Sequence, residues 1–79
     1  MSRLAMNLIH RLEGKGLSFI AIPRFVKDVA SAIPMNRYAN LQDVNRRLHL
    51  LGWYPVELDY HTLELIKASL ESEGAIIKS

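Results

Sequence analysis

Apolar residues in this sequence recur at helical spacing, and glycine or proline cuts the pattern into short segments. This punctuation constrains the fold more than any other feature. Leu4, Leu8 and Leu12 form one stripe with Ala5 and Ile9, after Ser2, a good helix N-cap. Gly14 and Gly16 follow and supply positions suited to positive φ, where a helix ends. Arg3, His10 and Arg11 fall off the stripe, which makes the first helix basic and amphipathic.

Leu17 to Ile22 is apolar apart from Ser18, and as a sequence it fits a short strand, a buried connection or a first helical turn. Pro23 suits the first turn of a second helix, in which Phe25, Val26, Val29, Ala30 and Ile33 recur at helical spacing. Ile22 stands ahead as a hydrophobic staple, and Pro34 ends the pattern. Residues 34–39 read as a loop. Asn40 with Asp43 resembles a capping box for a third helix that turns Leu41, Val44, Leu48 and Leu51 inward and stops at Gly52. Trp53, Tyr54 and Pro55 come next, and Val56-Glu57-Leu58 is too short to separate strand from loop. Asp59 caps a fourth helix with Tyr60, Leu63, Ile66 and Leu70 on one face, closed by Gly74. The apolar run 75–77 has the composition of a short strand.

The expected fold is therefore all-α or nearly so. It is a single small four-helix orthogonal domain over residues 1–79, helix-turn-helix-like, with room for one short β-strand pair. A chain of 79 residues buries a smaller share of its surface than a large domain does. With no cysteine it has no disulfide staple, no Cys-ligated zinc and no thiol nucleophile. Oligomerisation is then a natural source of further stability. Asn7, His10 and Arg11 interrupt any secretory signal pattern, so the expected compartment is the cytoplasm.

Two leucines do not fit a single core. A rotation of ~100° per residue sets Leu50 almost opposite the Leu41/Val44/Leu48 stripe. Leu65 falls far from Leu63, Ile66 and Leu70. Either another part of the chain covers them, with the first helix or the 17–22 segment as the cover, or they form a second apolar surface. Trp53 and Tyr54 carry the same choice: large aromatics in a turn plug a core or anchor an interface. Leu50, Trp53, Tyr54 and Leu65 are the candidate contact residues.

Charge is divided along the chain. Residues 1–50 hold eight basic and three acidic side chains, +5, and residues 51–79 hold two basic and five acidic, −3, which sum to the net +2. Arg24, Lys27, Arg37, Arg46 and Arg47 make a basic patch if the second and third helices are neighbours, with Tyr38 available to stack.

Thr62-Leu63, Ile66, Leu70, Gly74 and Ile76-Ile77 resemble the recognition helix of a winged helix-turn-helix domain passing through glycine into a wing strand. Under that resemblance 23–33 is the family's first helix, 40–51 its second and 60–72 its recognition helix, with His61, Thr62 and Lys67 facing a groove. The sequence departs from the pattern in two ways. The connection from Gly52 to Asp59 exceeds the ~3–4 residues of a usual turn. The recognition helix carries Glu64, Glu71 and Glu73 against Lys67, which repels phosphates.

No pattern for catalysis or for a cofactor stands out. Gly14-Lys15-Gly16 lacks phosphate-loop spacing and follows a helix. His10, His49 and His61 form no HxxxH pair, and His61 with Glu64 supplies two ligands, too few for a metal site. The expectation is a non-enzymatic regulatory or adaptor module acting through protein contacts, as a homodimer. No cofactor, metal, membrane or small-molecule partner is expected. The alternative is a nucleic-acid-binding helix-turn-helix protein using Arg37, Arg46 and Arg47.

Overall fold

The computed structural model describes residues 3–33 and 40–72, with side chains from residue 5 onward. The Ser2 cap, the side chain of Leu4, the loop 34–39 with Arg37 and Tyr38, Gly74 and the run 75–77 lie outside the described residues. Among the described residues four α-helices follow in order: α1 (Arg3–Gly14), α2 (Ile22–Ala32), α3 (Leu41–Leu50) and α4 (Tyr60–Ser72). A single 3-10 turn, Phe19–Ala21, runs directly into α2. The fold is all-α. Residues 56–58 form no strand, and no helix among the described residues is long and apolar enough to cross a membrane.

Both glycine stops build the same device. At the end of α1 the Gly16 N–H donates to the Glu13 carbonyl (3.0 Å) and the Leu17 N–H to the Leu12 carbonyl (3.2 Å). At the end of α3 the Gly52 N–H donates to His49 (3.1 Å) and the Trp53 N–H to Leu48 (3.0 Å). These are Schellman motifs, which need a left-handed residue after the helix. Gly16 and Gly52 provide it, with φ of 101° and 100°. Gly14, in contrast, is an ordinary helical residue. Each motif turns the next side chain back toward its helix, which is why Leu17 is buried and Trp53 half-buried.

The N-termini of α3 and α4 are capped from side chains, whereas Ala21 before α2 offers none. Asn40 Oδ1 accepts from the Gln42 N–H at 2.8 Å. Asp59 accepts from the Thr62 N–H at 3.3 Å and from the Thr62 hydroxyl. Lys15 Nζ lies 2.9 Å from Asp59 Oδ1, so the connection after α1 is pinned to the start of α4.

The helices meet around α2, which packs against both α3 and α4, while α1 covers α4. Phe25 and Val29 of α2 have no exposed surface, and neither do Leu12, Leu48 and Ile66 from the other three helices. Together with Leu8, Leu17, Ile22, Ile33, Val44, Leu58, Leu63 and Leu70 they form one cluster.

Two stripes differ from their sequence reading. Tyr60 is the first residue of α4 and 66% exposed, and the buried face instead runs Thr62, Leu63, Ile66, Leu70. Thr62 can be buried because Asp59 satisfies its hydroxyl. On α3, Leu51 is the C-cap and 42% exposed, and Asn45 is buried beside Val44 and Leu48.

Candidate docking groove on the third helix

Gln42, Asn45, Arg46, His49 and Leu50 stand at i, i+3, i+4, i+7 and i+8, which places them along one face of α3. The Schellman turn at Gly52 reverses the chain, and the segment after it runs back beside this face. Tyr54 then meets His49 edge-on, with ring centroids 5.2 Å apart and planes at 81°. The Tyr54–Pro55 peptide bond is cis. Glu57 completes the far wall, and these residues enclose an open depression of about 680 Å³.

Asn45 ties the wall to the helix. Its Nδ2 donates to the Leu58 carbonyl at 3.0 Å, and its Oδ1 accepts from the Leu58 N–H at 2.8 Å. The side chain thus answers both polar groups of one buried residue, as a strand neighbour would. Leu50 and Tyr54, 79% and 74% exposed, form the apolar part of the rim. Arg46 and Glu57 bring one charge of each sign. His49 Nε2 is sealed from solvent and has no hydrogen-bond partner among the described residues.

The four residues singled out as contact candidates do not share one surface. Leu50 and Tyr54 line the groove together. Trp53 sits behind it, half-buried, with its ring edge-on to Phe25 at 5.1 Å and its Nε1–H donating to Asp28 Oδ2 at 2.7 Å. That is the core-plug position. Leu65 is half-buried against the core and lines a separate depression of about 440 Å³ with Asn7, His10, Arg11 and His61. Part of its cover comes from α1. The 17–22 segment covers neither leucine by its middle, because Phe19 and Ile20 point to solvent.

Of the basic candidates, Arg46 lines the groove and stands 3.6 Å from Asp43, both exposed. Arg47 is exposed on α3, and Arg37 lies outside the described residues. Thr62 has no exposed surface, so the groove-facing role implied by the winged-helix resemblance cannot fall to it. Lys67 is mostly covered and lies 3.9 Å from Glu64. His61 is exposed.

Gln42, Asn45, His49 and Glu57 were not singled out from the sequence. The signal for the first three is the polar i, i+3, i+7 series on α3, which alone reads as an ordinary solvated face. Asp59 is committed to capping α4. The Thr62 hydroxyl, and after it the Lys15 ammonium, hold its carboxyl far below the usual carboxylate range. Glu64 raises the Tyr60 phenol above its usual value by accepting its hydrogen bond. Among the described residues no three His, Cys, Asp or Glu side chains cluster to hold a metal ion. Comparison with protein-family models, with curated proteins and with solved structures gives no match.

Proposed function

We propose that this chain is a small non-enzymatic regulatory or adaptor module of the cytoplasm that acts through protein contacts, as a homodimer docked at the α3 groove. The observation that carries the reading is the pairing of Leu50 and Tyr54, both largely exposed, on the rim of one depression. A lone exposed leucine is ordinary, but an apolar pair beside a concave polar surface fits a contact site. Tyrosine adds contact area at small entropic cost, and a groove with both charge signs favours a partner that matches them. The orthogonal, helix-turn-helix-like arrangement of α3 and α4 belongs to the same proposal, used here for protein rather than for DNA.

Sedimentation velocity over a wide concentration range tests it. The expected result is a mass above the 9.0 kDa monomer that returns to monomer in a Leu50→Asp, Tyr54→Ala variant. A wild-type chain that stays monomeric at the highest concentration removes the homodimer. The nucleic-acid reading rests on Arg46 and Arg47, both exposed on α3. A mobility-shift series in rising salt separates the two, since phosphate binding weakens steeply as salt increases. Absence of any shift at low salt eliminates it.

A further inference from the structure

The apolar run 17–22 is anchored at its two ends and turned outward in its middle. Leu17 and Ile22 are each 7% exposed, whereas Phe19 is 63% and Ile20 89% exposed. The 3-10 turn holds them there, capped by Ser18, whose hydroxyl accepts from the Ala21 N–H at 3.3 Å. An isoleucine at that exposure projects from the surface and contacts almost nothing of its own chain.

The turn continues into α2, so Ile20 is followed at i+4 and i+7 by Arg24 and Lys27, and Phe19 at i+4 by Pro23. All of these are exposed. The carboxylate next in sequence, Asp28, lies one turn after Arg24, is half-buried and accepts from the Trp53 indole N–H. Lys15 is paired with Asp59. The surface is thus a projecting apolar tip backed by two exposed cations.

We infer that the Phe19–Ile20 tip, with Arg24 and Lys27 behind it, docks peripherally on an anionic phospholipid surface. An apolar tip needs a medium that receives it, and cations beside it need negative charge at the depth of the headgroups. A lipid interface supplies both to a projecting knob without a preformed cavity. Nucleic acid supplies the phosphates but receives an apolar tip only by unstacking its bases. The inference is independent of the α3 groove and of dimerisation.

Flotation of the full-length chain with vesicles at low salt tests it, comparing phosphatidylcholine alone with phosphatidylcholine mixed with phosphatidylserine. The chain should float with the mixed vesicles and leave them as salt rises. Each cation near such a surface is worth about fivefold in partitioning, so Arg24→Gln with Lys27→Gln should lower it roughly 25-fold. Phe19→Ser with Ile20→Ser should abolish it. All four sites are exposed, and unchanged thermal melts by circular dichroism establish that the variants remain folded. The inference is overturned if the wild type does not float, or floats equally with neutral vesicles. It is also overturned if the Phe19/Ile20 variant still floats, or if that variant changes the sedimentation of vesicle-free protein, which would make the tip a contact between copies. A monomeric chain that floats would remove the proposed dimer and leave this surface standing.

Discussion

Asn45 and Leu58, thirteen residues apart, are joined by two hydrogen bonds between the amide of one and the backbone of the other. Leu58 is 3% exposed, so its N–H and carbonyl have no water to turn to. This pairing holds the 53–58 segment against α3 and gives the groove its second wall.

Removing that amide should therefore cost more than a surface substitution. Asn45→Ala leaves the buried N–H and carbonyl of Leu58 unpaired, and each such group costs about 1–3 kcal/mol. A destabilisation of roughly 2–6 kcal/mol is expected in urea denaturation. Asn45→Asp keeps the acceptor but sets a carboxylate oxygen against the Leu58 carbonyl, so it should also destabilise, and less so in acid. Wild-type stability in Asn45→Ala would mean that the bridge contributes nothing.

Trp53 offers a graded test of the core behind the groove. Trp53→Phe keeps an aromatic ring near Phe25 and loses the bond from Nε1 to Asp28, for an expected cost of about 1–3 kcal/mol. Trp53→Ala also opens a cavity and should cost about 3–5 kcal/mol. Equal midpoints for the two variants would show that the ring contact with Phe25 carries little.

Asp59 couples the stability of the fold to acid. Its folded carboxyl sits below the ordinary value of 3.8, held there by Thr62 and then by Lys15. A depressed folded value contributes stability that is fully present above 3.8 and lost as pH falls below it toward the folded value. Asp59→Asn should be less stable than wild type near neutrality, and the gap should narrow as pH drops through that window. Asp59→Ala also loses the α4 cap, for about 0.5–2 kcal/mol at neutral pH. Thermal melts across an acid series measure both, and parallel curves for wild type and Asp59→Asn would exclude the coupling.

Gly52 tests backbone conformation without a steric term. A methyl group there meets nothing within 4 Å, yet φ is 100°. Gly52→Ala should destabilise by about 1–2 kcal/mol through the left-handed conformation alone. Gly14→Ala, in a right-handed helical position with the same open space, should be neutral or slightly stabilising. The contrast between the two variants is the readout.

The local frame of this protein is legible in its sequence. Helix-spaced leucines, Asn40 and Asp59 as caps, Gly16 and Gly52 as stops and Pro23 in a first turn are all instructions carried within a few residues. They locate the four helices without any knowledge of packing. The two stripes that shifted did so at helix ends, where Tyr60 and Leu51 fit the period but sit beyond the reach of the core. Tertiary structure decided what each residue faces. Asn45 looks like a solvated polar residue until the return of the chain brings Leu58 against it. Leu50 and Leu65 look equivalent until α1 half-covers Leu65 and leaves Leu50 largely exposed. The segment 17–22 shows the same division: its composition declares it apolar, but only its anchoring at Leu17 and Ile22 turns Phe19 and Ile20 outward. Caps, stops and periodicity act through bonds a few residues long, whereas burial depends on which distant segment arrives, and no local pattern encodes that.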